Sequence, residues 1–223
     1  MANLRTGKIG QYYGSYYGES EYLSTEEQRL NAWYIRDYLY AHGWTIEAIC
    51  GIVANMEHES TLNPGIWQGN DVGDTKGGYG LVQWTPATKY FNWCESEDRT
   101  DASIMDNNLD RVLYEVDHNI QYISTSGYPE SFKEFTKSTK TPYYLACAFA
   151  WNYERSAVVL YGAGSKEKAE ELTEAEKEAN REALRQRRGG SANKWYEFFT
   201  GTIPPVRPTK RRKMPLWMYL NYT

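Results

Sequence analysis

The chain has 223 residues, enough for one well-buried domain of ordinary size or for one domain with appendages. It contains no apolar run of the roughly 18 residues that a membrane-spanning helix requires, so we expect no membrane insertion. The net charge is -4, and the body of the chain is more acidic still, because a basic run near the C-terminus contains Arg207, Lys210, Arg211, Arg212 and Lys213. An acidic body with a basic tail argues against nucleic-acid binding.

Three cysteines, Cys50, Cys94 and Cys147, lie among apolar residues. An odd number of cysteines in such positions predicts buried free thiols rather than a disulfide framework. The N-terminus has no apolar signal-peptide core, so we expect a protein made in a cytoplasm without a signal peptide.

The N-terminal third of the chain predicts an arm followed by two helices. Residues 1–22, rich in tyrosine and glycine, predict an irregular arm. A capping box at Ser24 begins an apolar helical spacing that ends at Gly43. Thr45 is the predicted cap of a second helix, and residues 46–56 are apolar nearly all round, which is typical of a buried helix.

Residues 65–84 are rich in glycine and predict turns and a small β-hairpin. Thr85-Pro86 predicts a cap and a first helical position for a helix that extends through Cys94. Later helices are expected over about residues 102–123, 131–137 and 143–152.

Charged residues dominate the segment 164–190, which predicts a solvated helix or a mobile insertion. A final amphipathic helix is predicted over residues 191–199. The expected architecture is mainly α-helical, α+β in class, with a small β-hairpin or glycine-rich loop region that lines a cleft. Its parts are an arm at 1–22, a folded domain at 23–200 with the charged helical insertion at 164–190, and a proline-rich and basic tail at 201–223.

Two acids, Glu57 and Glu59, stand at the end of the second predicted helix. Burial and the negative end of the helix dipole both disfavour ionisation there, so we expect a raised pKa. Glycoside hydrolysis needs such an acid to protonate the leaving oxygen. Helical periodicity does not choose between the two, because Glu57 continues the stripe of Val53 and Glu59 continues that of Asn55.

A pair of motifs separates the two acids. Glu59-Ser60-x-x-Asn63-Pro64 followed by Gly78-x-Gly80-Leu81-x-Gln83 resembles the signature of goose-type lysozymes and soluble lytic transglycosylases. The wider sequence, about residues 24–199 apart from the charged insertion, resembles the bacteriophage tail-knob or tail-tip lysozyme domain. The similar segments are residues 31, 43–45, 48–51, 55–56, 59–65, 67–68, 80–87, 132–142 and 153–155.

The resemblance implies a lysozyme-like fold, peptidoglycan as the substrate, and neither a cofactor nor a metal. It assigns Glu59 as the general acid. Trp151 departs from the superfamily, which has tyrosine in the sequence Ala-Tyr-Asn. The residues that the resemblance places at the sugar cleft or in its support are Ser60, Gly80, Leu81, Gln83, Trp84 and Tyr153, with Asn152 and Arg155 as further support.

A second carboxylate decides the type of reaction, since inverting and retaining hydrolases both use one. Asp71 is the first candidate, because the tail lysozymes have an acid at that spacing, and Asp74 is a possible supporting acid. Both could instead be turn formers beside glycine. Glu59 would then act alone, with the N-acetyl group of the substrate, and give an anhydro product.

The leading hypothesis is a muramidase on a bacteriophage tail that cleaves the MurNAc-GlcNAc β-1,4 bond during DNA entry and contacts other tail proteins. The alternatives are a lytic transglycosylase with 1,6-anhydro products, an endolysin for host lysis, and a non-catalytic tail or wall-binding protein. His58-Glu59 begins like a zinc-protease motif, but Leu62 stands where the second histidine is needed. Cys50 lies in an apolar helix, which is a poor place for a nucleophile.

Overall fold

The computed structural model describes residues 6–9, 12–15 and 19–201. Strands β1 (Thr6–Ile9) and β2 (Tyr12–Ser15) pair antiparallel, so the prediction of an irregular arm is wrong for these residues. The rest of the predicted arm before residue 19, and the tail after residue 201, lie outside the described residues. The helices are α1 (Thr25–Ala41), α2 (Ile46–Ser60), α3 (Thr88–Ser96), α4 (Met105–His118), α5 (Phe132–Lys137), α6 (Pro142–Phe149), α7 (Ala157–Tyr161), α8 (Lys166–Glu170) and α9 (Glu174–Gly201).

The predicted helix starts are confirmed where a cap side chain bonds to the backbone. Ser24 and Glu27 form a complete capping box at α1. Thr45 Oγ1 accepts a hydrogen bond from the backbone N–H of Ala48 at 3.2 Å and begins α2. Thr141 caps α6, which has a proline in its first turn. These signals are local, because each cap satisfies a donor of the first turn that has no partner within the helix.

Two predicted boundaries are wrong. Helix α3 begins at Thr88, three residues after Thr85, and has no side-chain cap. Helix α4 covers Met105–His118 rather than 102–123, because Asn119 adopts a left-handed conformation with φ of 51°. A left-handed residue ends the helical hydrogen bonding and turns the chain away.

Helix α2 is the buried centre of the domain, as its apolar sequence predicts. It packs against α1, α6 and α9. Helices α6 and α9 approach closely at Gly189, where an added Cβ would lie 2.3 Å from Cδ2 of Tyr143. Any larger residue would separate the two helices, so glycine at this position allows α9 to pack directly against α6.

The charged segment and the final predicted helix form one continuous helix from residue 174 onward. The first half of α9 carries surface ion pairs, such as that of Arg185 with Glu178. The second half buries Trp195 and Phe199 against the core. The segment predicted as an insertion is therefore, over residues 174–190, the first part of a helix that packs on α2 and α6.

The glycine-rich segment contains turns in place of the predicted β-hairpin. It has a 3-10 turn at Gln68–Asn70 and isolated bridges from Trp67 to Tyr79 and from Tyr79 to Trp84. Over the described residues, the helix content confirms the mainly α-helical class. The three cysteines are buried and free, as predicted. Within the same residues, no helix combines the length and the apolar character needed to cross a bilayer.

Two asparagines attach the N-terminal strand and the residues after it to the helical core. Asn31 Nδ2 donates to the carbonyl oxygens of Tyr13 and Leu62, each at 2.7 Å. Asn63 Nδ2 donates to Ser15 Oγ and to the Glu21 carbonyl oxygen, each also at 2.7 Å. Both side chains are buried, so water cannot replace these bonds without opening the structure.

We expect Asn63→Ala to lower the free energy of unfolding by about 1–3 kcal/mol, because it leaves buried backbone and side-chain partners unpaired. It should also make the chain before residue 21 more sensitive to protease. Thermal unfolding and limited proteolysis measure both effects. Asn92→Ala, at an exposed position on α3, is the matched control. Equal stability of the two variants would contradict the anchoring role of Asn63.

Candidate active site

The end of α2 separates the two candidate acids. Glu59 lines a cleft and keeps a quarter of its side chain exposed, at 25%. Glu57 lies beside α1 and α9 instead, and its Oε2 accepts a hydrogen bond from Trp195 Nε1 at 2.9 Å. Glu59 therefore faces the cleft, and Glu57 is held by the packing of α9.

The cleft has a volume of about 400 Å³ and lies between the end of α2, the glycine-rich turns and the end of α6. Aromatic and amide side chains make up half of the residues that line it, and Lys89 is the cation among them. Aromatic faces and amides suit a sugar, whose rings combine apolar faces with hydroxyl groups. The lining includes Tyr22, Trp67, Gln68, Gln83, Trp84, Gln121 and Tyr153.

The turn at Gly80-Leu81 is fixed to both α2 and α4. Ser60 Oγ lies 2.8 Å from the carbonyl oxygens of Met56 and Leu81 and can donate to either. The Leu81 N–H donates to Asn108 Oδ1 at 2.9 Å. Gly80 has φ of +78°, and an added Cβ would meet Asn108 Oδ1 at 2.5 Å. Only glycine fits this position. The hydrogen bonds of Leu81 to Ser60 and Asn108 hold the turn in place.

Ser60, Gly80 and Leu81 are buried and do not line the cleft, so they support its wall. Gln83 does line the cleft. Its Nε2 donates to the Gly80 carbonyl oxygen at 3.0 Å, which leaves Gln83 partly committed to the turn. Trp84 also lines the cleft.

A buried acid on α4, Glu115, holds two of the cleft's aromatic residues. It accepts hydrogen bonds from Trp84 Nε1 at 3.0 Å, from the Tyr153 hydroxyl at 2.5 Å and from Arg111 Nε at 2.9 Å. Burial raises the pKa of Glu115, and these bonds oppose that effect. Glu115 is not among the residues predicted from the sequence, although its i,i+4 spacing from Arg111 on an apolar helix face was a usable signal.

The remaining supporting residues lie away from the cleft. Asn152 is buried, donates from Nδ2 to the Tyr128 carbonyl oxygen at 2.8 Å, and thereby holds the loop before α5. Arg155 is exposed and caps the π-helical turn Ala150–Glu154 in a left-handed conformation. Neither side chain is among the residues that line the cleft.

The acids of the glycine-rich turns are exposed and outside the cleft lining. Asp71 follows the 3-10 turn, and its backbone N–H donates to the Gln68 carbonyl oxygen at 3.2 Å. Asp74 Oδ1 accepts a hydrogen bond from the Lys76 N–H at 3.0 Å. Gln68 and Gly69, just before Asp71, do line the cleft, so Asp71 stands at its margin.

Two charged residues that are not among those predicted from the sequence lie next to Glu59. Arg188 of α9 is buried and donates from Nη2 to Glu59 Oε1. Glu154, at the end of the π-helical turn, shares the cleft lining with Glu59. Such a π-helical turn frequently marks a functional site. The carboxyl groups that line the cleft are thus Glu59 and Glu154.

Comparison with known proteins identifies a family that covers most of the chain. The family model described as phage tail lysozyme matches residues 30–199, which is most of the chain. A curated relative, Morphogenesis protein 1 of Bacillus phage B103, is 51% identical over 142 residues. That alignment covers 64% of this chain but only 38% of the relative, so the chain spans less than half of the relative's length. The chain belongs to the phage tail lysozyme family.

Proposed function

We propose that the chain is a peptidoglycan-cleaving muramidase of a phage tail, with Glu59 as its general acid. The observation that carries the proposal is the position of Glu59, partly exposed in a cleft at the end of a buried helix. Glycosidic cleavage needs a proton donor within hydrogen-bond reach of the leaving oxygen. The bond cleaved would be the MurNAc-GlcNAc β-1,4 bond of the host cell wall.

The wall of the cleft supports a polymeric sugar as the substrate. Trp67, Trp84 and Tyr153 line the cleft but are at most 5% exposed, so they form its packed inner wall. Gln68, Gln83 and Gln121 add amide groups at the rim. The family and the phage relative support action from the virion tail beside other tail proteins rather than release as an endolysin.

A lytic transglycosylase is the second candidate, and the exposure of Asp71 outside the cleft lining favours it. Hydrolysis with a second carboxylate requires that group at about 5–9.5 Å from the acid. A transglycosylase needs no such group, because the sugar's own 6-hydroxyl captures the reacting carbon. A non-catalytic wall-binding protein would have no need for an accessible acid in the cleft.

We expect Glu59→Gln to lower the rate of wall cleavage by about 10²–10⁴-fold, because the amide cannot donate a proton as an acid does. Turbidity loss of purified cell walls measures the rate, and wall co-sedimentation should show that binding is kept. Glu57→Gln is the matched control and should keep most of the rate. Wild-type cleavage by Glu59→Gln would refute the assignment of the acid.

For Asp71→Asn we expect a loss of less than about tenfold, because the side chain lies outside the cleft lining and a general acid or base contributes more than that. Asp74→Asn serves as the comparison on the same turn. A loss as large as that of Glu59→Gln would restore Asp71 as the second carboxylate. Mass spectrometry of the released muropeptides then identifies the reaction, since anhydro products are lighter by one water than reducing ends.

Tyr22, which is 59% exposed at the edge of the cleft, is expected to stack on a sugar ring. Tyr22→Ala should therefore raise KM about fivefold on soluble glycan chains, and Tyr22→Phe should change it little. Tyr40→Ala is the control, because Tyr40 is 58% exposed on α1 and does not line the cleft. Equal KM values for the two alanine variants would remove Tyr22 from the binding surface.

A further inference from the structure

Arg188 is a buried cation directed at the proposed acid. It is 5% exposed and donates from Nη2 to Glu59 Oε1 and from Nη1 to the Asn55 carbonyl oxygen at 3.3 Å. Its Nε has no hydrogen-bond partner in the described part of the chain. Desolvating a guanidinium is costly unless a carboxylate compensates for it. Glu59 supplies that compensation in its ionised form.

Glu154 is the second carboxyl group of the cleft wall. Its Oε1 is buried and has no hydrogen-bond partner among residues 6–9, 12–15 and 19–201. Burial raises the pKa of Glu154 well above its usual range, and the charge of Glu59 raises it further, whereas Arg188 opposes the shift. A smaller upward effect comes from Glu115. The protonated form of Glu154 is therefore favoured while Glu59 is ionised.

We propose that Glu154 and Arg188 are positioning residues that control the proton of Glu59. This inference rests on the proposed role of Glu59 as the general acid. If both carboxyls were ionised, two negative charges would face one guanidinium in a partly buried site. The raised pKa of Glu154 therefore holds a proton in the cleft wall beside Glu59. By charge alone, a carboxylate next to Glu59 opposes a negative charge there, and the guanidinium of Arg188 favours it.

The chemical step depends on both neighbours of Glu59, the carboxyl group of Glu154 and the guanidinium of Arg188. The proton leaves the Glu59 carboxyl for the glycosidic oxygen while the bond from C1 to that oxygen breaks, and the bonding electron pair stays on the oxygen. Glu59 becomes a carboxylate in contact with Arg188, which stabilises the charge that the transfer creates. The oxygen of a water molecule or of the sugar's own hydroxyl group then bonds to C1. The proton that this oxygen loses returns to the carboxyl groups of Glu59 and Glu154.

Other charged groups surround the cluster without replacing it. His58 next to Glu59 has its pKa lowered to about 4 by desolvation and by the cations of α9, so it is neutral near pH 7. Glu115 is already paired with Arg111. None of these groups changes in the Glu154 and Arg188 variants. By element they are Glu57 and His58 on α2, Lys89 on α3, Arg111 and Glu115 on α4, Tyr153 on the π-helical turn, and Arg187 and Lys194 on α9.

The test is the pH profile of wall cleavage by the full chain, where the alkaline limb reports loss of the acid's proton. Glu154→Gln should move this limb to lower pH by on the order of one unit, because Glu59 loses the neighbour that favours its protonation. Arg188→Gln should move the limb to higher pH by a similar amount, because the cation that favours ionisation is gone. The two shifts have opposite signs, which a loss of packing does not produce.

Two further variants serve as controls. Arg188→Lys keeps the cation and should restore the limb towards its wild-type position. Arg187→Gln removes a neighbouring arginine on the exposed side of α9 and should leave the profile unchanged. Limbs that stay in place in both Glu154→Gln and Arg188→Gln would overturn the proposal. If Glu59→Gln is inactive in the same experiment, only the positioning proposal is refuted and Glu59 remains the assigned acid. If Glu59→Gln is active, the proposed function is refuted as well.

Carboxyl-carbon NMR of the wild type gives a second readout besides activity. Without substrate, the Glu154 signal should titrate above the ordinary glutamate range, because the group is buried and faces Glu59. The signal is assigned by its loss in Glu154→Gln. Titration of Glu154 at the ordinary glutamate value of about 4.3 would overturn the proposal.

Discussion

The burial of α2 between α1, α6 and α9 is the constraint on which the rest of the site depends. A helix that is apolar on nearly every side must be covered on nearly every side, and only its two end turns are left to meet solvent. Glu59 stands in the last turn and Glu57 stands under α9. The same packing that excludes water from the helix thus decides which acid a substrate can reach. It also brings α9 close enough to supply Arg188.

Buried asparagines hydrogen-bond the irregular backbone segments to the helices, as neighbouring strands bond to one another in the β-sheet of other α+β domains. Asn108 receives the Leu81 N–H and donates to the Pro64 carbonyl oxygen at 3.2 Å, so one side chain joins both ends of the glycine-rich segment to α4. Asn63 joins the N-terminal residues to the end of α2. An amide carries both a donor and an acceptor group, and it can satisfy irregular backbone that has no ladder partner. The cleft wall is rigid for this reason even though its backbone consists of turns.

The sequence predicts the features whose causes are local. Caps at Ser24, Thr45 and Thr141 are readable because each partner lies within one turn. Glu59 could not be separated from Glu57 by periodicity, since both continue apolar stripes, and only a motif chose between them. Arg188 could not be found, because it meets Glu59 across 129 residues of chain and its neighbours are charged. The charged segment around Arg188 has the pattern of a solvated helix, and its buried face becomes visible only in the structure, where it is part of one continuous helix.

An ion pair on a general acid looks unfavourable, since a neighbouring cation favours loss of the proton that catalysis needs. The conflict disappears when the neighbouring carboxyl group is included. One guanidinium can balance the charge of one carboxylate. Glu154 lines the same cleft as Glu59, and its Oε1 has no hydrogen-bond partner in the described part of the chain. A second ionisation would therefore place an uncompensated charge in a partly buried wall. The retained proton then has two places to reside, and a glycosidic oxygen close to Glu59 favours one of them by accepting its hydrogen bond.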